Sequence, residues 1–131
     1  MGQQQLLLIV LGVIIVGIAV VVGINLFNAN ARESTKDTMV SEATNIGAMA
    51  QQYFKKPVAL GGGGNTFVGF TSTLVPTNIL TTSTATYVLS GQSTTNCTIT
   101  GTPSAASGYD GFTVVCTVTP TSISSAISGS W

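Results

Sequence analysis

Residues 6–24 read LLLIVLGVIIVGIAVVVGI, a run of nineteen without a charge and with nothing more polar than glycine or alanine. This length matches the ~30 Å hydrocarbon core of a bilayer when the run is helical. A helix satisfies its backbone amides internally, which lipid requires. A helix that is apolar all round must be covered on every side, by membrane or by protein. The large side chains that we expect to be covered are Leu6, Leu7, Leu8, Ile9, Val10, Leu11, Val13, Ile14, Ile15, Val16, Ile18, Val20, Val21, Val22 and Ile24.

The residues that flank this run do not resemble a cleaved secretory signal. Residues 1–5, MGQQQ, carry no basic side chain, and residues 29–31 are followed by helix-like sequence rather than by a cleavage site. We therefore expect residues 6–24 to be retained in the mature protein.

Charge divides the chain into three zones. The 131 residues carry four Lys+Arg, four Asp+Glu and no histidine, so the formal net charge is zero. Residues 1–31 have no charge, seven of the eight charges lie within residues 32–56, and Asp110 is the one that remains. We predict an apolar helix over 1–31, an amphipathic helix half over 32–56, and a Thr/Ser-rich β domain over 57–131.

These totals exclude several classes of function. Nucleic-acid binding needs a basic patch, and the sequence has none. No catalytic set of Ser/His/Asp or Cys/His type is possible without histidine. The run of glycines at 61–64 lacks the Lys-Ser/Thr of a phosphate loop, so we interpret it as a linker. We predict no enzyme activity, no cofactor and no metal site.

The second zone has the period of an amphipathic helix. Its apolar positions, spaced by four, three, four and three, are Met39, Ala43, Ile46, Ala50 and Tyr53. The opposite side carries Glu33, Lys36, Asp37, Glu42 and Gln51. Pro57 and the glycines at 61–64 are expected to end the helix. A helix from about residue 3 to 55 would be ~80 Å long, so its N-terminal half should protrude from any small globule.

Beyond the glycines the pattern changes to that of strands. Segments 86–90, 96–100 and 112–119 are rich in β-branched residues and are separated by Gly91, by residues 101–103 and by residues 108–111. They predict an antiparallel sheet of three or four strands whose apolar face covers the Met39–Tyr53 stripe. The tail, with Ile123, Ile127 and Trp131 at spacing four, is expected to dock on this domain. The predicted class is α+β, a long helix on a small antiparallel sheet.

Cys97 and Cys116 fall on the two longest strand candidates. Two thiols cannot complete a four-ligand zinc site, so a single disulfide in an oxidising compartment is the better interpretation. It would close a loop of ~20 residues and contribute roughly 3 kcal/mol. The many threonines and serines here have two interpretations: strand propensity with solubility, or a surface for O-linked sugars.

Taken together, the polar start, the apolar run, its amphipathic continuation and a small β domain with two late cysteines resemble a type IV pilin. The resemblance implies removal of a leader, insertion in the inner membrane, and extraction by an assembly machinery into a helical homopolymer at the cell surface. Residues 6–24 would form the filament core. Type IV pilins usually carry a glutamate at mature position five; here that position is Gln5, or Leu7 if cleavage follows Gly2. The usual proline of the apolar helix is also missing, so this chain departs from the family at two points.

Two further hypotheses remain beside the filament subunit. One is a single-pass anchored protein whose β domain binds a partner outside the membrane. The absence of Lys and Arg from residues 1–5 weighs mildly against it, because the cytoplasmic flank of an anchor usually carries them. The other is a pseudopilin of a secretion system, which would share the same architecture.

Overall fold

The computed structural model describes residues 2–104 and 111–129 and confirms the α+β class. Its elements are helices α1 (Gly2–Lys55) and α2 (Thr77–Leu80) and strands β1 (Ala85–Ser90), β2 (Cys97–Pro103), β3 (Phe112–Val118) and β4 (Ile123–Gly129). The chain forms two compact units, Met1–Ser34 and Thr35–Trp131, and α1 contributes to both. Gly108, Asp110 and Trp131, which entered our predictions, lie outside the described residues.

The first unit consists of the N-terminal part of α1. Valine and isoleucine are mediocre helix formers in water, but no proline interrupts the segment. The helix also continues through Asn28 and Asn30, two residues that disfavour helix interiors. The secondary structure therefore shows no break between the uncharged and the charged parts of α1.

In the second unit the C-terminal part of α1 packs on the sheet. Met39, Ala43, Ile46 and Ala50 are completely buried, as are Ile99 of β2 and Val114 and Val118 of β3. Gly47 brings the helix close to the sheet, because a Cβ atom built there would lie 3.0 Å from Val118 Cγ2. A side chain at this position would push α1 away from β3.

The four strands follow one another in space in the order β1-β2-β3-β4, and each adjacent pair is antiparallel. Burial alternates along β3, so that Phe112, Val114, Cys116 and Val118 face α1. The alternate positions of β1, β2 and β3 face outward and are mostly threonines: Thr86, Thr98, Thr100, Thr102, Thr113 and Thr117. These threonines therefore form the outer face of a half-buried sheet. Threonine suits that face because it is β-branched and polar.

The fourth strand is not one of the segments that the sequence pattern singled out. Residues 123–129 form β4 along the whole length of β3, from Val118↔Ile123 to Phe112↔Gly129. All of its residues except Ile123 are exposed. A strand with both faces open to solvent has no alternation of apolar and polar residues, which is why its pattern looked weak. Residues 66–70, a short segment with two phenylalanines, are irregular and include a turn at 68–69.

The glycine run at 61–64 is an ordered cap on α1, so our interpretation as a linker was wrong. After a 3₁₀ turn at Val58–Leu60, the amides of Gly63 and Gly64 donate to the carbonyls of Tyr53 and Lys56 at 2.8 and 3.0 Å. Asn65 N donates to the Phe54 carbonyl at 2.8 Å. These bonds satisfy carbonyls that the last turn of a helix leaves unpaired.

Candidate assembly surface

The most unusual surface of the chain is the apolar part of α1. All fifteen large aliphatic side chains between residues 6 and 24 are 52–69% exposed, and Phe27 is 73% exposed. They surround the helix on every side, and no charge interrupts them before Arg32. The segment is long and apolar enough to cross a membrane. Globular proteins avoid contiguous apolar surfaces of this extent unless lipid or protein covers them.

The glycines within this surface leave open space. A Cβ atom added at Gly12, Gly17 or Gly23 would meet no described atom within 4 Å. Gln5 lies in the first turn of α1 and is exposed. The residues predicted for the filament core therefore form one continuous apolar cylinder, with a neutral polar turn before it.

The predicted helix–sheet residues all lie in the second unit. Met39, Ala43, Ile46 and Ala50 belong to its core, and Tyr53 is half-buried at the edge of that core. Tyr53 Oη donates to the Val68 carbonyl at 3.0 Å, and its ring lies 5.4 Å from that of Phe70. The two parts of α1 thus differ in kind: one packs on the sheet of its own unit, while the other exposes its side chains.

A polar cluster beneath the sheet was missed by the sequence reasoning. Glu42, which we placed on the solvent side of α1, accepts hydrogen bonds from Tyr87 Oη and, at 3.1 Å, from Thr82 Oγ1. Tyr87 is 3% exposed, and burial together with the neighbouring carboxylate raises the pKa of its phenol. Glu42 directly precedes Ala43 of the buried stripe, so it borders the core rather than facing away from it.

Cys97 and Cys116 do not form the predicted disulfide; both are buried thiols. The sheet register explains why, because Cys97 lies opposite Val118 and Cys116 lies opposite Ile99. The two cysteines are therefore diagonal neighbours, about 7–8 Å apart at Cα, which exceeds the usual range for a disulfide. Burial raises the pKa of Cys97 from 9.0 to about 11 and also raises the pKa of Cys116.

The grooves of the second unit are lined by few side chains that could bind a charged ligand or catalyse a reaction. Three of them, of about 200, 240 and 580 Å³, contain one charged side chain, Lys56. No three His, Cys, Asp or Glu side chains come together within the described residues. The feature that calls for a functional explanation is therefore the apolar surface of α1.

Comparison of the chain with protein-family models, with curated proteins and with solved structures gives no match. The features that bear on its function are therefore the exposed apolar helix and the domain that follows it along the chain.

Proposed function

We propose that this protein is the structural subunit of an extracellular, type IV pilus-like filament, and that residues 6–24 form the filament core. The observation that carries the proposal is the apolar cylinder: fifteen large aliphatic side chains, each at least half exposed, in a segment without charge. The long N-terminal helix and small antiparallel sheet are compatible with a pilin-like fold.

The energetics favour two successive environments for this helix. Burying a large aliphatic side chain is worth about 1.5–3 kcal/mol, so leaving fifteen in water costs on the order of tens of kcal/mol. Lipid covers them while the subunit is stored in the membrane, and neighbouring copies of the helix cover them in the filament. A charge in this segment would be buried without a partner in both environments, which accounts for its neutrality.

The way α1 continues supports a filament over a simple anchor. The helix passes from its apolar part into its amphipathic part without a break. No linker separates the apolar part of α1 from its amphipathic part, and this direct continuity is what a helical filament subunit needs. A flexible linker would serve an anchor equally well.

The experiment is electron microscopy of material sheared from cells that express the wild type or Val16→Asp. We expect filaments from the wild type and none from Val16→Asp, because the carboxylate would be buried in the core. The control is Thr94→Asp, which adds the same charge at an exposed turn and should leave filaments intact. Normal filaments from Val16→Asp would overturn the proposal. Wild-type protein released from membranes by detergent alone, with no fibres, would favour an anchored binding protein.

A further inference from the structure

Strand β4 is an open edge of the sheet. Within residues 2–104 and 111–129 it pairs with β3 alone, and its residues form no backbone hydrogen bond with any other described residue. In an antiparallel ladder, alternate residues direct their amide and carbonyl groups away from the neighbouring strand. The outer edge of β4 therefore presents a row of N–H and C=O groups that are available to a further strand.

This edge lacks the features that usually protect one. The opposite edge of the sheet is partly covered, because Thr81 forms a bridge with Thr86 of β1. Proteins commonly protect an open edge with a lysine, a proline, a bulge or a very short strand. β4 pairs with β3 over seven successive residues without a bulge. Residues 111–131 contain no charged side chain, and their one proline, Pro120, precedes the strand.

We infer that β4 pairs with β4 of a second copy of this chain, antiparallel and about a two-fold axis, so that two four-stranded sheets become one continuous sheet. Such an isologous contact needs a surface that is complementary to itself. The edge of β4 meets this condition, because its outward backbone groups include both donors and acceptors. It also has no charge that would face a like charge across the axis.

The backbone alone provides a contact of ordinary size. The longest symmetric register places Ala126 opposite Ala126 and pairs all seven residues of each strand. An antiparallel pair of this length forms about six to eight backbone hydrogen bonds. This number falls within the ~10 ± 5 hydrogen bonds of a typical protein interface.

The side chains fit the same register. On the outer face, Ser124 lies opposite Ser128 of the second copy. Thr113 and Ser128 already form a hydrogen bond between hydroxyl groups, at 2.9 Å, across β3 and β4. On the other face Ile127, which is 46% exposed in the single chain, lies opposite Ser125 of the second copy and loses part of its contact with water.

This contact goes beyond the proposed function and does not depend on it, since β4 lies wholly within the second unit. If the chain forms the proposed filament, the contact has a definite place. An isologous contact closes on itself and cannot by itself generate a filament. Pairs of β4 strands would therefore join neighbouring filaments side by side, while the apolar segment of α1 joins the subunits within each.

Cysteine cross-linking of the full chain in detergent micelles tests the register. Oxidation of Ala126→Cys should give a disulfide-linked dimer, because directly opposite residues lie about 4.5–5.5 Å apart at Cα, within the range of a disulfide. Ser124→Cys alone should not, since the two copies of residue 124 lie about 14 Å apart along the strands, whereas Ser124→Cys/Ser128→Cys should. The wild type controls for the two native cysteines, which are buried. Ser124→Cys that links as readily as Ala126→Cys, or Ala126→Cys that does not link, would overturn the inference.

A charge at the centre of the contact tests its strength. Ala126→Lys places two lysines opposite each other, and we expect it to lower the association constant about ten-fold, measured by sedimentation in density-matched micelles. The matched control is Thr86→Lys, which adds the same charge at an exposed position of β1 and should associate as the wild type does. Hydrogen exchange of the amides of β2 and β3 reports whether each variant folds. A monomeric wild type, unchanged association of Ala126→Lys, or an equal loss in Thr86→Lys would each overturn the inference.

Electron microscopy separates this inference from the proposed function. Filaments sheared from wild-type cells should associate side by side, and those of Ala126→Lys should lie apart. The absence of wild-type filaments would count against the proposed function and not against the β4 contact, which the micelle measurements decide.

Discussion

Tyr87 of β1 donates its phenolic hydrogen bond to the carboxylate of Glu42 on α1, and its ring lies over Gly101 of β2. The register places Tyr87 directly opposite Gly101, where a Cβ atom would come within 2.6 Å of Tyr87 Cε1. The missing side chain of the glycine thus makes room for the ring, and the ring brings its hydroxyl to the helix. This one side chain ties three elements of the second unit together.

We predict that Tyr87→Phe lowers the free energy of unfolding of the second unit by about 2 kcal/mol, because hydrogen bonds to charged groups are worth about 1.5–3 kcal/mol. The measurement is urea unfolding of the full chain in detergent micelles. Hydrogen exchange of the amides of β1–β3 monitors the unfolding of the second unit. A double-mutant cycle with Glu42→Gln should give a coupling of about 1 kcal/mol. Additive effects of the two substitutions would show that the bond does not contribute to stability.

The glycine cap gives a second prediction. Gly63→Ala should lower the stability of the second unit by about 1–3 kcal/mol, since the new methyl would overlap the Thr66 carbonyl and lie 2.7 Å from Tyr53 Cε1. Gly12→Ala, a helical position with open space, should instead raise helix stability by up to about 1 kcal/mol. Thermal unfolding in micelles measures both. A Gly63→Ala variant as stable as the wild type would mean that residues 61–64 are a linker after all.

The sequence predicted the parts of the fold that repeat a period. Spacing of three and four located Met39 and Ile46 on one face, and β-branched runs located the first three strands, β1 to β3. The partner of Glu42 was beyond such reasoning, because Tyr87 is 45 residues distant and only the packing of β1 on α1 brings them together. Periodicity placed Glu42 on a polar side, whereas in the fold it borders the core.

The other differences have equally local causes. Four successive glycines are compatible with a linker or with a cap, and the choice depends on hydrogen bonds to Tyr53 and Lys56 that composition does not specify. The placement of Cys97 and Cys116 on two strand candidates suggested neighbours, but Cys97 lies opposite Val118, two residues beyond Cys116, so the two cysteines are diagonal. The apolar surface of α1, in contrast, could be predicted from the sequence alone, because it does not depend on contacts between distant residues.

The cysteines provide a third prediction, which concerns reactivity and pH. Because burial raises both thiol pKa values, iodoacetamide at pH 8 should label neither cysteine in the folded chain and both after unfolding in urea. Thr94→Cys adds an exposed thiol that should label at once and serves as the control. Failure of unfolded, unreduced protein to label would show that a disulfide forms.

The same pKa shift sets the direction of an alkaline transition. Between about pH 9 and 11 the unfolded chain loses the Cys97 proton while the folded chain keeps it, so stability falls as pH rises through this window. Below pH 9 both states hold the proton and the contribution is constant. Urea unfolding at pH 8, 9.5 and 10.5 tests this, and the fall should be smaller in Cys97→Ala.

The last prediction separates the two roles of α1. Ile46→Ala should lower the stability of the second unit by about 2–5 kcal/mol, because Ile46 is completely buried and its truncation leaves a cavity. Ile14→Ala removes the same atoms from a side chain that is 52% exposed within its own chain, so the unfolding of the second unit should not change. If neighbouring copies cover Ile14 in a filament, its truncation should instead weaken the filament and lower the temperature at which sheared fibres dissociate. If Ile14→Ala fibres dissociate at the wild-type temperature, or if Ile14→Ala destabilises the second unit, then Ile14 is not covered by neighbouring copies in a filament.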